Sequence, residues 1–410
     1  MLRSRRTSSG AFAVVLACSF AFACACSSSG SGSHEAGGGA GSGDDSAIAG
    51  SGGDSAIAGS HASSGGDSAS AGAHASSGDA SSGDASSGDA SSGGTSSSPA
   101  GSGNDPASAG TGGSSGVRRI FYLDVQGRVL AFDEDKPTPR TLVRSAGEGP
   151  DGIAVDVAGG HLFWTTMGVP ADNDGSLRRS QLDGSKVTTI VPTGLTYTPK
   201  QLKLDVAGQR LYWSDREGMR IQRVAIDGSG LETLVTVASG DSARKNAGNW
   251  CVGLALDLVH GFFYWTQKGP DDGMVGSIRR AHLQMPDGET DTTRTDIEVL
   301  IDGLPEPVDL DLDVAAGHMY WSDRGDDTIN RMAIEIPSGK TAATRNDREI
   351  LVRGVREAIG VTLDLERGHV YYTSGVGGRV GRANLDGSGA HDLVTGTGAF
   401  TGIAVVQLAP

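Results

Sequence analysis

Hydrophobic and polar positions fall into two regimes along the chain. From residue 117 onward, short runs of β-branched, aromatic and aliphatic residues recur, each closed by Gly, Asp, Ser or Asn. That is the pattern of short strands joined by tight turns. A four-residue word organises the runs: FYLD at 121–124, FWTT at 163–166, YWSD at 212–215, YWTQ at 264–267, YWSD at 320–323 and YYTS at 371–374. Successive copies lie 42, 49, 52, 56 and 51 residues apart, a period that signals propeller blades or solenoid turns. In five copies an aspartate stands seven residues ahead of the word (Asp156, Asp205, Asp257, Asp313 and Asp364), within GIAVD, QLKLD, GLALD, DLDLD and GVTLD. Each unit thus opens with two strands around a tight turn such as VAGG or ERGH.

After the word, a loop leads to a third run: VLAF (129–132), LRRS (177–180), IQRV (221–224), IRRA (278–281), INRM (329–332) and VGRA (380–383). An Asp-Gly turn or a longer loop then leads to a fourth. Four short antiparallel strands make one propeller blade, and six units make a six-bladed ring. The first unit has no GIAVD of its own, whereas GIAVV (402–406) stands alone at the far end. Pairing that run beside Phe121–Asp124 would put both ends of the domain in one blade and leave no sheet edge open. An open solenoid would instead need capping repeats, and the sequence carries none.

The succession GIAVD, YWSD, I-x-R and LDGS resembles the YWTD repeat, or class B repeat, of the low-density lipoprotein receptor family, and the resemblance covers 117–410. It implies an all-β fold, a six-bladed β-propeller of YWTD type closed by the C-terminal strand. Receptors of that family flank the propeller with cysteine-rich modules, which this chain lacks, so receptor-style endocytosis is not implied.

Composition changes the picture upstream. Residues 27–116 are almost wholly Ser, Gly, Ala and Asp, with nine acidic residues and no Lys or Arg. Such a tract cannot bury enough apolar surface to offset its ordering entropy, and is expected to be a disordered linker. At about ninety residues, its r.m.s. span is on the order of 50 Å. Residues 1–26 read as a signal segment: Arg3, Arg5 and Arg6, then the apolar run AFAVVLACSFAFACAC, too short for a spanning helix. The alanine-preceded cysteines at its end resemble a bacterial lipobox, although Ala23 and Ala21 stand where that motif has leucine. The resemblance implies lipidation at Cys26, alternatively Cys24, with anchoring by lipid alone; an ordinary cleaved signal is the other reading. The expected location is the cell envelope, as an outer-membrane lipoprotein or at the cell surface. The net charge of −15, with no basic stripe, argues against nucleic-acid binding.

Repeated residues are expected to be structural. Tyr212, Trp213, Tyr264, Trp265, Tyr320 and Trp321 recur at one strand position and are assigned to packing between blades. The five aspartates and the third-run arginines Arg179, Arg223, Arg280, Arg331 and Arg382 are expected to form ion pairs across each blade, because blade one lacks both (Val406 and Ala131). The Arg324-Gly325-Asp326 tripeptide and the loop carboxylates Asp172, Asp174, Asp271, Asp272, Asp326 and Asp327 carry no calcium-loop spacing and read as solvated loops. No HExxH, GxSxG or phosphate-cradling glycine loop is present. No catalytic residue, metal site or cofactor is therefore expected.

Function is placed in residues that do not repeat. Just ahead of the first strands, where the chain would enter beside the central channel, stand Glu148, Tyr197, Trp250, Glu306, Arg356, Glu357 and Phe400. They form either a ligand-binding ring or a plug of the channel mouth. Two functions follow: a non-enzymatic, envelope-tethered, monomeric module that binds a protein or glycan through its long-loop face, or a lactonase- or lyase-like propeller enzyme with its site in the channel.

Overall fold

The computed structural model describes residues 116–409. The leader and its cysteines, and the linker as far as residue 115, lie outside the described residues. Six four-stranded antiparallel sheets make the blades. Blade one combines Val117–Asp124, Arg128–Asp133 and Lys136–Val143 with the C-terminal strand Phe400–Leu408. Blades two to six span 150–191, 199–236, 251–304, 307–353 and 358–395. Their innermost strands are Pro150–Asp156, Pro199–Asp205, Cys251–Asp257, Pro307–Asp313 and Ala358–Asp364. Phe400–Leu408 pairs with Val117–Asp124 in the register Phe121↔Ala404 and Tyr122↔Ile403, and also packs against both neighbouring inner strands. The ring is closed as expected.

Apolar side chains collect between blades. Phe121 of blade one packs with Trp164 of blade two, Phe163 with Trp213, Tyr212 with Trp265, Tyr264 with Trp321, and Tyr371 of blade six with Tyr122 of blade one. The first aromatic of one word thus covers the second aromatic of a neighbour, and burying two large rings per interface makes this the main apolar term in the fold.

The word's third residue bonds the inner strands together. Thr165 Oγ1 accepts from Gly152 N (2.7 Å) in its own blade and donates to Lys200 O (2.8 Å) in the next. Thr266 bridges Gly253 N and Val308 O, both at 2.7 Å. Ser322 accepts from Asp309 N (3.0 Å) and donates to Ile359 O (2.6 Å). Thr373 accepts from Gly360 N (2.8 Å) and donates to Thr401 O, and Ser214 donates to Val252 O. Blade one has Leu123 at this place, and Thr401 replaces it by donating to Pro150 O (2.8 Å). Glycine precedes most of these contacts because the inner strands nearly touch: a Cβ on Gly253 would lie 2.2 Å from Val308 O.

The expected aspartate–arginine pairs are not formed. Each aspartate ends an inner strand, so its carboxylate folds onto the following turn: Asp156 accepts from Gly159 N (2.7 Å), Asp205 from Gly208 N (2.8 Å), Asp257 from His260 N (2.9 Å) and Asp313 from Ala316 N (2.9 Å). Asp364 accepts from Arg367 N (3.3 Å) and pairs with Arg118 across the closing seam. The arginines lie opposite the word's first aromatic, as in Tyr212↔Arg223 and Tyr264↔Arg280. From there they tie one blade to the next: Arg223 to Leu283 O (3.0 Å), Arg280 to Glu335, Arg331 to Leu385 O (2.9 Å) and Arg382 to Glu134. Blade one lacks the aspartate because its inner strand continues to Leu408 with no turn to cap at Val406. Nothing in the structure explains Ala131 opposite Phe121, since Phe163 likewise lacks a hydroxyl and faces Arg179.

A second repeat, absent from the sequence analysis, sits in the third-to-fourth-strand loops of blades four and five, where 286–296 and 337–347 share Pro-x-Gly-x-Thr-x-x-Thr-Arg-x-Asp. Arg294 is buried there on Asp296 and donates to Leu234 O (2.8 Å) of blade three; Arg345, on Asp347, donates to Leu300 O (2.9 Å) of blade four.

These contacts predict the cost of unfastening the ring. Thr266→Val keeps the shape but leaves Val308 O and Gly253 N without their side-chain partner, and should lower unfolding free energy by about 1–3 kcal/mol in urea titrations. Deleting residues 400–410 should cost far more, and a truncated chain that melts with the intact one would contradict closure.

Candidate binding site at the channel mouth

The channel mouth is built by the word's last residue and the one after it. The Asp215 carboxylate accepts from Tyr197 N (3.0 Å) and Thr198 N (2.8 Å), and Asp323 accepts from Glu306 N (2.9 Å). Gln267 donates to Gly248 O (2.8 Å), fixing the loop that carries Trp250. The next residue's N–H then bonds to a mouth carbonyl: Arg216 N to Thr198 O (3.0 Å), Lys268 N to Trp250 O (3.2 Å) and Arg324 N to Glu306 O (2.9 Å). That next residue is a cation in blades three, four and five. Blades six, one and two carry Gly375, Val125 and Met167 at that place, so the cations that follow the word lie on one side of the mouth only.

On the charged side three of the expected residues come together. Trp250 is half-buried, donates from Nε1 to Arg244 O (2.8 Å), and has the Arg216 guanidinium 5.0 Å and the Lys268 ammonium 5.7 Å from its ring centroid. The Arg244 guanidinium stacks 3.7 Å above the Tyr197 ring. These cation–π contacts hold both aromatics without hiding their edges. Glu306 is 1% exposed and takes an ion pair from Lys268 and a second from Arg324 at 3.2 Å. Burial raises its carboxyl above the usual range despite both cations. Asp271 pairs with Arg324 (3.3 Å) and Lys268 (3.5 Å); burial opposes ionisation there, but the two cations hold its carboxyl below the usual range.

The other expected residues stand apart. Glu148 and Arg356 are exposed, Glu357 is half-buried with its N–H on Asp327 Oδ1 (2.7 Å), and none of the three touches the Trp250 cluster. Phe400 is 5% exposed and packs on Tyr122 with ring centroids 4.7 Å apart, so it belongs to the core beneath the mouth, not to a ligand surface. Its first-strand position turns it toward blade one, an orientation that sequence order alone does not reveal. Arg216 and Lys268 were missed, although YWSDR, YWTQK and YWSDR spell out a cation after the word in three consecutive units.

The Arg324-Gly325-Asp326 tripeptide is internally satisfied, Arg324 by Glu306 and Asp271, and Asp326 by Arg348 at 2.6 Å. Among the described residues no three His, Cys, Asp or Glu side chains converge as metal ligands would.

Within the channel, inner-strand side chains make two charged groups. Asp151 pairs with Lys200 and accepts from Gln201 Nε2 (3.1 Å), and burial lowers the Lys200 ammonium. Asp309 accepts from Leu310 N (2.9 Å) and from Val361 N (3.0 Å) of the next blade, and burial pushes its carboxyl up to about 7 despite the nearby Lys203. Asp323 is raised to about 6 by burial and by the neighbouring Asp326. Both carboxyls hold protons in the folded state that the unfolded chain releases near pH 4. Their stabilising contribution is therefore present below about pH 4 and lost as pH rises through about 6 to 7. Asp309→Asn removes one of these titrations, so its melting temperature should gain on the parent's between pH 5 and 8. A constant offset across that range would show that Asp309 does not titrate there.

Comparisons with known proteins agree with the architecture. No family model matches the sequence. A curated relative, Low-density lipoprotein receptor-related protein 1 of Pyricularia oryzae, is 39% identical over 307 residues, which cover 70% of this chain and 98% of that protein. The 3-hydroxyacyl-CoA dehydrogenase-like protein LAM1 of Cochliobolus heterostrophus is 36% identical over 309 residues, and the chain spans 64% of its length. Among solved structures, a chain of the Nidogen/Laminin Complex superposes with a TM-score of 0.53 at 20% identity, over 70% of this chain and 98% of that one.

Proposed function

The chain belongs to the low-density lipoprotein receptor class B, or YWTD-repeat, propeller family, and from that premise we propose that it is a non-enzymatic module binding a protein partner at the channel mouth of blades three to five. The observation that carries this reading is Trp250, a large half-buried aromatic in contact with both Arg216 and Lys268, near the stacked Tyr197–Arg244 pair. Trp, Tyr and Arg dominate interface energetics because they bring large rigid area together with polar ends. Cations already answered by Glu306, Asp271 and Glu217 favour a partner that supplies acidic or carbonyl groups in exchange, rather than one that must neutralise bare charge. A glycan stacked on Trp250 would use the same surface. One structure of like fold is that of a complex between two proteins, nidogen and laminin.

A relative's name refers to a dehydrogenase, but the α-helix among the described residues is a single turn, Asp241–Arg244. The strand–glycine–helix unit that cradles a dinucleotide has no counterpart among the described residues, so the name is not carried over. Lipidation at Cys26 or Cys24 would tether the module in the envelope, with the linker as its leash.

Two outcomes test this. A photo-crosslinking residue in place of the exposed Lys245, beside the cluster, should give a discrete envelope-protein adduct in the native host. The same residue in place of Val259, on the opposite face, should not, and Trp250→Ala should abolish the adduct with little change in melting temperature. Loss of folding in Trp250→Ala, or equal adducts from both faces, overturns the mouth as the site. Replacing Cys24 and Cys26 together should release the protein into the soluble fraction and abolish fatty-acid labelling; labelling that persists would contradict lipidation there.

A further inference from the structure

The channel end opposite the mouth holds a feature that the partner-binding reading does not use. The second halves of the inner strands line an open recess of about 190 Å³, walled by Ile153, Val155, Leu202, Leu204, Ile403 and Val405. Three polar side chains enter it: Lys203 of blade three, Asp311 of blade five and Thr362 of blade six. Three of the six inner strands carry alanine at the matching place, Ala154, Ala255 and Ala404, so the two charges meet across the front of Ala255.

Their geometry is that of an incomplete pair. The Lys203 ammonium lies 3.9 Å from Asp311 Oδ1, beyond hydrogen-bond length, and has no hydrogen-bond partner among the described residues. Its three donors are left to solvent in an aliphatic recess, which is costly for a group with 20% of its side chain exposed. Asp311 is better held: Oδ2 accepts from Leu363 N (3.0 Å) and Thr362 Oγ1 (3.3 Å), and Oδ1 accepts from Leu312 N (3.1 Å). Oδ1 is the oxygen set 3.9 Å from the Lys203 ammonium.

We propose that this recess binds a free aliphatic α-amino acid. The ligand's carboxylate would take the unused donors of Lys203, its ammonium would meet Asp311 Oδ1, and its side chain would lie on the Ile153, Leu202, Ile403 and Val405 wall. An α-amino acid carries both charges on one carbon, matching two opposite charges about one contact apart. It replaces one long ion pair by two short ones with no change in net charge. A simple carboxylate or amine would leave one member of the buried pair unanswered, which is the costly case. The aliphatic wall suits a branched aliphatic side chain.

Isothermal titration of the purified full-length protein at pH 7 tests this with leucine, and with three analogues that each lack one element: leucinamide without the carboxylate, 4-methylpentanoate without the ammonium, and glycine without the side chain. Leucine should bind, and each analogue at least tenfold more weakly. Lys203→Met and Asp311→Asn should each abolish leucine binding. Ala404→Leu, which fills the recess and leaves both charges, should do the same and keeps the test valid if a charge variant fails to fold. No leucine binding at millimolar concentration, binding of 4-methylpentanoate or glycine equal to leucine's, or unchanged binding in Ala404→Leu would each overturn the assignment. None of these outcomes depends on Trp250.

Discussion

Six strands crowd around one axis, and their inner-edge carbonyls and N–H groups cannot all pair within a blade. An unanswered polar backbone group there would cost about 1–3 kcal/mol. One buried hydroxyl per interface solves the problem by giving its hydrogen to the carbonyl of the next inner strand, and Thr165, Thr266, Ser322 and Thr373 also take an N–H from their own. A side chain larger than Ser or Thr would hold the strands apart, and a smaller apolar one would leave both groups unmet. Around this contact the other letters of the word find their tasks: two aromatics fill the space between blades, and the fourth residue fastens the loop above. Where the word reads FYLD the hydroxyl is missing, and Thr401 supplies it from the strand that closes the ring.

The same fastening decides where a ligand surface can form. Because Asp215, Gln267 and Asp323 pin the mouth loops from below, Tyr197, Trp250 and Glu306 stand on rigid supports. Their environment differs by side: a cation follows the word in blades three to five, and Gly, Val or Met does in the rest. The cations there already sit in a network with Glu217, Asp271 and Glu306. The network can exchange partners when a complementary surface arrives.

Departures from the repeat mark the channel. Gln201 and Asp309 stand where four inner strands have glycine, and Lys203 and Asp311 where three have alanine. Such residues add charge to a confined space whose other walls are aliphatic, and the raised Asp309 carboxyl is the direct consequence. Blades three and five are therefore specialised relative to the repeat they share with blades two, four and six.

Repetition made much of the fold legible. Six words at a near-constant spacing, with one inner strand displaced to the far end, specified the number of blades and the closure, because a period-two strand pattern and a covered edge admit few other arrangements. The same repetition misled where one position was read by its charge. Asp156 and Arg179 recur together, but covariation along a chain does not say which way side chains point, and the fold sends one to a turn and the other toward the next blade. At the site, sequence order identified Tyr197, Trp250 and Glu306 as non-repeating residues at the mouth, and it equally nominated Phe400. Only packing distinguished them: Phe400 turns into the interface with Tyr122, while Trp250 is held at the surface by cations from two other segments. The repeat determined the scaffold by itself because its contacts are the same in nearly every blade. The chemistry at the mouth and in the channel arises between residues of different blades, 38 apart for Lys268 and Glu306 and further for Lys203 and Asp311, and the ring is what brings them together.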